Sequence, residues 1–270
     1  MDDKKIKELI ETGRDFMKMP IEDESYQSDQ QLKKPQPPLA KSPMRTEAID
    51  LPTHFNLLTI ENDFLKVINQ RKSERVFTNQ PMSLLELSYL LWCSQGVKEI
   101  RGNNYATIRT VACGGARHQF ECYMALQNIE GLQDGLYHYL PLSHQIEFLG
   151  SVQDMKAFID QALGGQSWAS KANVNFFYSI VAYRVEWRYG IYAHRVALID
   201  AGHITQNVYL AATSIDLGAC AIGYLDGALL DKAFELDGKE EFIFYACPVG
   251  TIKKTEALDF DPYNFVQTQR

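Results

Sequence analysis

The chain has 270 residues, 46% of them hydrophobic and 23% charged, which is enough for one sizeable core with or without an appended segment. A formal net charge of -7 argues against nonspecific binding to nucleic acid or to an anionic membrane surface. Five cysteines with no C-x-x-C pair argue against a disulfide framework or a zinc site. No stretch approaches the roughly 20 apolar residues of a membrane span, and the charged N-terminus lacks the apolar core of a signal peptide, so we predict a soluble cytoplasmic protein.

The first 50 residues are predicted to form a helix and an extended arm, separate from the main domain. Residues 4–19 carry small or apolar residues at spacings of three and four, as on one face of an amphipathic helix: Ile6, Leu9, Ile10, Gly13 and Met17. Residues 20–45 are polar and contain five prolines, which remove backbone donors and favour extended backbone. We expect this arm to lie on the surface of its own subunit or of a partner.

Residues 51–270 are predicted to form one domain in which helices alternate with strands. Helices are predicted at 61–70, 84–92, 154–163 and 194–215. Ser83 and Glu86 have the S-x-x-E spacing of a capping box at the start of the second helix. Strands are predicted at 123–128, 135–139, 145–149, 174–182, 219–223 and 241–249. This alternation is typical of an α/β or α+β fold.

Two short sequences early in this domain have the composition of a phosphate or nucleotide site. In the pentamer RKSER at 71–75, arginine offers a planar fork of donors that matches phosphate, and serine adds a short donor. In RTVACGGAR at 109–117, adjacent glycines allow close approach to a ligand or positive φ. The pentamer could instead be a solvated basic turn, and the run at 109–117 could be an ordinary loop. Neither G-x-G-x-x-G nor a Walker G-K-[ST] occurs, which argues against Rossmann-type and P-loop sites.

Three further sequences lie in the second half of the chain. The longest predicted helix carries a polar stripe, Asp200, His203, Gln206 and Asn207, whose side chains need partners on so apolar a helix. A structural hydrogen-bond network would provide them. The run LGACAIG at 217–223 could present backbone N–H groups to a flat ligand, or could be a helix C-cap leading into a strand. The run PVGTIKK at 248–254 ends a strand with two cations, as a solvated strand exit also would.

The order of these motifs along the chain resembles the nitroreductase superfamily: R-x-S-x-R, a Gly-rich turn, D-x-G-H-x-x-Q-N, L-G-x-x-x-I-G and P-V-G with trailing lysines. The resemblance runs from about Asn69 to Lys254. It is closest to the SagB-type branch, which includes the azoline dehydrogenases of modified-peptide biosynthesis, and it is carried by residues 109–121, 135–149 and 188–207. It implies an α+β fold with a central mixed, mainly antiparallel sheet flanked by helices. It also implies a domain-entwined homodimer that holds FMN at the subunit interface.

The resemblance also implies a cofactor site. Arg71 and Ser73 would bind the FMN phosphate, and Arg75 would lie near the ribityl chain and the N1–C2=O edge of the flavin. One of the two lysines at 253–254 would add a further phosphate contact, and residues 218–222 would lie against the flavin near N5. The complete implied cofactor-binding set is Arg71, Lys72, Ser73, Arg75, Ala112, Cys113, Gly114, Gly115, Gly218, Ala219, Cys220, Ala221, Ile222, Gly223, Lys253 and Lys254.

Two departures from the family pattern bear on the chemistry. Ala112-Cys113 replaces a Pro-Ser pair whose serine faces the flavin of the other subunit, and a thiol is a weaker donor that could instead bring redox character. Arg188-Tyr189 replaces the Lys-Tyr acid–base pair of the azole-forming branch. Arginine stays protonated and cannot act as a general base, whereas Tyr189 could act as an acid or a hydrogen-bond donor. Tyr189 and Arg188 are the candidate catalytic residues.

Three functions are compatible with these observations. The first is hydride transfer between reduced nicotinamide, NAD(P)H, and a small electrophile such as a nitroaromatic or a quinone. The second is an FMN dehydrogenase that acts on a peptide or azoline-type substrate, which Arg188 disfavours. The third is a flavin-binding scaffold subunit without chemistry of its own, with which Cys113 and Arg188 are compatible.

Overall fold

A computed structural model describes residues 1–18, 25–78, 80–253 and 261–270 of the chain. Its strands are β1 (Ile49–Asp50), β2 (Val97–Arg101), β3 (Ala106–Arg109), β4 (Phe120–Leu126), β5 (Gly135–Leu140), β6 (Gln145–Gly150), β7 (Val174–Val181), β8 (Leu217–Ala219) and β9 (Glu241–Thr251). Its helices are α1 (Asp3–Met17), α2 (Phe64–Gln70), α3 (Leu84–Gln95), α4 (Met155–Ala162), α5 (Ala182–Tyr189), α6 (Ala193–Ser214), α7 (Gly227–Ala233) and α8 (Asn264–Thr268).

Seven strands form one sheet in the order β1-β6-β5-β4-β7-β9-β8, and every neighbouring pair in it is antiparallel. Strands β2 and β3 form a separate hairpin. Isolated parallel bridges join Ser73 to Ala219 and Met82 to Ile129. The predicted α+β fold, with a mainly antiparallel sheet between helices, is confirmed.

The core lies on both faces of the central strands, because successive side chains of a strand point to opposite faces. On one face, Cys122 and Met124 of β4 belong to a buried cluster that includes residues of α3 and α6. On the other face, Tyr123 and Ala125 belong to a second cluster with residues of α4 and α7. All of β4, and all of β7 except Val181, is buried, as the near-continuous apolar run at 174–182 predicts.

Local sequence predicts the start of α3 and the length of α6. The predicted capping box is present at the start of α3, where Ser83 Oγ accepts from the Glu86 N–H at 3.2 Å and Glu86 Oε2 accepts from the Ser83 N–H at 2.7 Å. Helix α6 is the longest described helix, at 22 residues, as predicted. It packs against α3 and α5, and thereby connects the two regions that hold the candidate site residues.

Several element bounds differ from the prediction. The strand predicted at 219–223 is three residues long and ends at Ala219, and Ile222 instead forms an isolated bridge with Ala246. The strand predicted to reach residue 182 ends at Val181 because α5 begins there without an intervening loop. The β2–β3 hairpin, α5 and α7 were not predicted. Four of the five residues of β2 are exposed, so this strand lacks a strong apolar alternation.

The described part of the arm, residues 25–45, lies on its own chain. The N–H group of Lys41 donates to Glu121 Oε1 at 2.7 Å, and those of Met44 and Arg45 donate to Glu147 at 3.0 and 2.7 Å. Helix α1 has no buried residue. Residues 19–24, which include the end of the predicted first helix and Pro20, lie outside the described residues. Within the described ranges, no helix is long and apolar enough to cross a membrane.

Candidate functional site

The first predicted motif lies along the short edge strand β8. Ser73 forms a parallel bridge with Ala219, and the Glu74 N–H donates to the Ala219 carbonyl at 2.9 Å. Gly218 permits this contact, since a Cβ there would lie 2.7 Å from the Glu74 Cβ and 2.6 Å from Ile252 Cγ2. The fold therefore brings three separate motifs together at this edge: the basic pentamer, the small-residue run and the end of β9.

Tyr209 of α6 links two of these motifs, although sequence analysis did not single it out. Its hydroxyl accepts from the Ala221 N–H at 2.7 Å and shares a hydrogen bond with Ser73 Oγ at 3.1 Å. The guanidinium of Arg71 lies 5.4 Å from the centre of the Tyr209 ring. The only sequence signal was its position three residues after Gln206, on the polar side of the helix.

The cations at this edge have a composition suited to phosphate. Arg71 is half-buried, Arg75 and Lys253 are exposed, and among the residues with described positions none of the three has a carboxylate within 4.0 Å. Lys72 differs, because it pairs with Glu74 at 2.9 Å. Guanidinium groups beside a serine hydroxyl are the donors that phosphate oxygens prefer. The residues present therefore fit the phosphate end of a flavin mononucleotide.

The backbone of the small-residue run is already largely engaged. The N–H groups of Cys220, Ala221 and Ile222 donate to the Pro248 carbonyl at 3.1 Å, to the Tyr209 hydroxyl at 2.7 Å and to the Ala246 carbonyl at 2.8 Å. Gly223 is exposed, and a Cβ there would meet nothing within 4 Å. The open end of this run is thus at Gly223. Lys254, the other lysine of the predicted phosphate contact, lies outside the described residues.

The Gly-rich turn is fixed by Asp200 from α6. The Gly114 N–H donates to both carboxylate oxygens of Asp200 at 3.0 Å, and Gln119 Nε2 donates to Asp200 Oδ2 at 3.1 Å. Asp200 is 3% exposed. Asn207 adds a second anchor, because its Nδ2 donates to the carbonyl of Cys93 at 3.0 Å. Asp200 and Asn207 therefore belong to a structural hydrogen-bond network, as one interpretation of the sequence proposed.

The rest of the polar stripe lies nearer to solvent. His203 is exposed, with Nδ1 3.5 Å from Asp200 Oδ1, and Gln206 is exposed. No group of three or more His, Cys, Asp or Glu residues within the described ranges could hold a metal ion.

The thiol of Cys113 faces the same carboxylate. Its Sγ lies 3.2 Å from Asp200 Oδ2 and 3.2 Å from Gln119 Oε1, and it accepts from the His118 N–H at 3.1 Å. Burial and the negative charge of Asp200 raise the pKa of the Cys113 thiol to about 12. Since the thiolate is the reactive form of cysteine, these surroundings oppose a redox role for Cys113 at neutral pH.

Arg188 and Tyr189 lie against the two glycines of this turn. Gly115 has φ +56°, and a Cβ there would lie 2.3 Å from Arg188 Nε and 2.8 Å from the Tyr189 hydroxyl. A Cβ at Gly114 would lie 3.3 Å from the same hydroxyl. The close approach explains why glycine occupies both positions. The structure thus brings the two candidate catalytic residues together with the second predicted motif.

The two groups of site residues lie at different levels of α6. Asp200 holds the Gly-rich turn, whereas Tyr209 holds the basic pentamer, and a rise of 1.5 Å per residue separates the two by about 13 Å along the helix axis. We call them the edge group (residues 71–75, 218–223 and 253) and the turn group (residues 112–115, 188 and 189).

Comparison with known proteins gives a family for this arrangement. The model of the nitroreductase family matches residues 68–251. A protein of Methanocaldococcus jannaschii that carries the name nitroreductase is 31% identical over 159 residues, which cover 58% of this chain and 76% of that protein. The microcin B17-processing protein McbC of Escherichia coli is 28% identical over 134 residues, or 48% of this chain and 49% of that protein.

Solved structures show the same fold at lower sequence identity. A nitroreductase-type protein of Ralstonia eutropha superimposes with a TM-score of 0.63 at 23% identity, covering 82% of this chain and 95% of that chain. A chain of the Escherichia coli microcin synthetase McbBCD complex, solved with truncated pro-MccB17 bound, gives a TM-score of 0.57 at 21% identity and covers 79% of this chain and 77% of that one.

Proposed function

The chain belongs to the nitroreductase family, whose members are generally flavin-dependent oxidoreductases, and we propose that it uses FMN to pass hydride from NAD(P)H to a small electrophilic acceptor of the nitroaromatic or quinone type. The observation that carries this proposal is the edge group. Arg71, Arg75 and Lys253 lie without carboxylate partners within the described ranges, in a chain whose net charge is -7. An anionic cofactor would supply the missing counter-charge.

In this proposal the residues of the edge group bind different parts of FMN. Arg71, Ser73 and Lys253 bind the phosphate, and Lys254 is a further candidate for the same contact. Arg75 lies toward the flavin ring, where a fixed cation favours the negative charge that reduction places on the N1–C2=O edge. When bound, the flavin supplies the hydride-accepting and hydride-donating atom N5, and the protein orients it and excludes water. Residues 218–223 form the wall beside it.

The turn group completes the site from a second subunit. We propose a homodimer in which residues 112–115 of one chain, with Arg188 and Tyr189, face the flavin held by the edge group of the other. Exposed apolar side chains support an interface: Leu198 and Ile199 on α6 are 50% and 51% exposed, and Phe64 and Leu65 on α2 are 68% and 57% exposed. Adjacent exposed apolar residues, two on each helix, are typical of a surface that a partner covers.

Tyr189 is the proposed proton donor to the reduced acceptor. Within the described part of the chain its hydroxyl has no hydrogen-bond partner, and it lies beside the two glycines that let a ligand approach. Arg188 stays charged and so cannot accept the proton.

A second candidate function is oxidation of a peptide or azoline-type substrate by the same flavin. The similarity to McbC, which processes microcin B17, favours it, as does the Tyr189 hydroxyl, for which the described residues offer no hydrogen-bond partner. Arg188 disfavours it, since that residue replaces the lysine of the implied acid–base pair. A non-catalytic flavin-binding scaffold is the third; it predicts bound FMN without turnover of either class of substrate.

Flavin binding and reduction test the proposal directly. The purified protein is titrated with FMN, and NADH or NADPH is then added without oxygen while the visible spectrum is recorded. We expect a flavin spectrum that bleaches on addition of the donor. Arg71→Gln should weaken FMN binding by at least about tenfold, because a charge-assisted hydrogen bond contributes about 1.5–3 kcal/mol and each 1.4 kcal/mol is a factor of ten. Arg101→Gln is the matched control, since Arg101 is exposed on β2 and pairs with Glu99.

The outcomes separate the three functions. A wild-type protein that takes up no FMN, or an Arg71→Gln variant that binds as tightly as the wild type, contradicts the proposed site. If FMN binds but neither NADH nor NADPH reduces it, the result favours the peptide dehydrogenase. Reduction of the flavin by an azoline-containing peptide then tests that function. Bound flavin that no substrate reduces supports the scaffold.

A further inference from the structure

The rim of the turn group contains two arginines, Arg117 and Arg188, for which the structure describes no carboxylate partner. Arg117 is buried, with its guanidinium 4.9 Å from the ring centre of Tyr105 and 5.3 Å from that of Trp187. Arg188 is half-buried beside it, near enough for its charge to lower the pKa of Arg117 further, after the larger effect of burial. Among the described residues, neither has a carboxylate oxygen within 4.0 Å. Like charges are held together here, although the chain as a whole is acidic.

Neighbouring elements hold Arg188 in one orientation. Its Nη1 donates to the Tyr105 hydroxyl at 3.0 Å and to Gln30 Oε1 at 3.3 Å, and Gln30 Nε2 donates to the same Tyr105 hydroxyl at 2.7 Å. Tyr105 lies at the turn of the β2–β3 hairpin and Gln30 in the arm. Three segments distant in sequence thus converge on one nitrogen of one guanidinium.

The structure describes no acceptor for the remaining donors of Arg188. Neither Nε nor Nη2 has an acceptor among the residues whose positions are described. Nearby carboxylates are engaged elsewhere: Asp29 pairs with Lys34 at 2.9 Å, and Asp200 binds the Gly114 N–H. A guanidinium with one side fixed and two donors unused matches the planar, two-oxygen geometry of a carboxylate.

We infer that Arg188, held by Gln30 and Tyr105, binds a carboxylate group of the substrate beside Tyr189. This inference deepens the proposed function and rests on it, since the carboxylate would belong to the acceptor that receives hydride. It gives the arm a role in specificity, because Gln30 is the arm residue that fixes Arg188. A neutral acceptor of the same shape would lack this contact and bind less tightly.

The same chemistry could serve a phosphate of the nicotinamide donor, so the test must separate the two sources. The FMN-loaded protein is titrated calorimetrically with benzoate, with benzamide as the neutral analogue of the same shape, and with inorganic phosphate. We expect benzoate to bind at least about tenfold more tightly than benzamide, and phosphate more weakly than benzoate. Equal affinity for benzoate and benzamide, or tighter binding of phosphate than of benzoate, would overturn the inference.

Variants assign the preference to the predicted residues. Arg188→Gln should abolish the preference for benzoate while leaving benzamide affinity within about twofold. Gln30→Glu should also reduce it, because the new carboxylate would pair with Arg188, and the isosteric change leaves the fold of the arm in place. Arg101→Gln removes the same charge from the hairpin and should change neither affinity. A preference that persists in Arg188→Gln contradicts the inference.

This experiment distinguishes the inference from the function on which it rests. Uptake of FMN and its reduction report on the proposed function and do not involve benzoate. If FMN does not bind, the proposed function fails, and the titrations are made on the flavin-free protein, where loss of the benzoate preference in Arg188→Gln but not in Arg71→Gln decides whether Arg188 binds carboxylates. If FMN binds and is reduced but the ratio is one, the inference alone fails.

Discussion

Cys113 occupies the position where the family resemblance implies a serine, and its surroundings decide what its thiol can do. It is half-buried between Asp200 and Gln119, so forming a thiolate would place two negative charges about 3 Å apart. The S–H group instead serves as a donor to its neighbours. The geometry assigns Cys113 to the support of the Gly-rich turn, together with the Gly114 N–H that binds the same carboxylate.

We therefore predict that Cys113 is unreactive at pH 8. With a pKa of about 12 in the folded protein, against about 8.5 for a free cysteine, its thiolate fraction is small there. Iodoacetamide should leave Cys113 unmodified in the native protein and alkylate it after unfolding, as peptide mass spectrometry would show. Cys113→Ser should retain nicotinamide-dependent turnover within about threefold. Rapid alkylation of native Cys113 would contradict this description of the turn.

The residues found and missed by sequence analysis differ in how they depend on distant parts of the chain. Arg71, Ser73 and the two glycines at 114–115 are recognisable because their motifs are local. Tyr209 and Gln30 are not, since their partners Ser73 and Tyr105 are 136 and 75 residues away in the sequence. Only the fold brings these hydroxyl and amide groups together.

Among the elements, the arm is held to the central sheet by polar contacts. Glu121 and Glu147 of the sheet are buried and accept hydrogen bonds from its backbone. Between these carboxylates lies buried His138, with Nδ1 2.7 Å from Glu147 and Nε2 3.7 Å from Glu121. Arg184 pairs with Glu121 at 2.7 Å. Because each charge has a partner, this polar layer can remain buried under the arm.

The pH dependence of this attachment follows from two opposite shifts. Burial alone would raise the pKa of Glu147, but hydrogen bonds from His138 and from the backbone of the arm lower it below its value in the unfolded chain. The ionised carboxylate therefore stabilises the fold at pH values above its unfolded pKa, and this stabilisation is lost as the pH falls through the folded pKa. Burial alone would lower the pKa of His138, but Glu121 and Glu147 raise it above its value in the unfolded chain. The protonated imidazole therefore stabilises the fold at pH values below its unfolded pKa, and this stabilisation is lost as the pH rises through the folded pKa. Both contributions are present between about pH 4.5 and 6.5.

Glu147→Gln should lower the free energy of unfolding at pH 6 by about 1–3 kcal/mol, since a buried charge-assisted contact loses its partner charge. The difference from wild type should shrink as the pH falls and the wild-type carboxyl becomes protonated. Denaturant unfolding at several pH values measures both effects, with Glu47→Gln as the exposed control. A destabilisation that does not depend on pH would show that the charge of Glu147 does not hold the arm.

Helices and strands were predicted correctly where the sequence carries a strong local signal. The capping box at Ser83 and the length of α6 gave correct helices, and the apolar run at 174–182 gave the central strand to within one residue. Prediction failed at α5, which begins directly after β7 with no breaker residue, and at the mostly exposed β2. These elements depend on tertiary contacts, such as that between α5 and α6, rather than on a periodic pattern.

At the scale of the whole molecule, the residues of α6 that hold the edge group and the turn group of one chain are about 13 Å apart along the helix axis. The central claim is that each flavin site lies between two subunits. One chain provides its edge group and the other chain provides its turn group. Motif order along the sequence suggested such a dimer only through family resemblance. The exposed apolar side chains of α2 and α6 are its structural support.

Subunit complementation tests this claim most directly. Arg71→Gln/Arg75→Gln disables the edge group and Tyr189→Phe disables the turn group, and each variant alone should reduce acceptors poorly. When the two are co-expressed with different tags, a mixed dimer contains one site built from two intact groups. We predict recovery of up to about a quarter of wild-type turnover, because half of randomly formed dimers are mixed and each has one working site. Turnover no higher than the average of the two variants would show that each site lies within one chain, and would contradict the account.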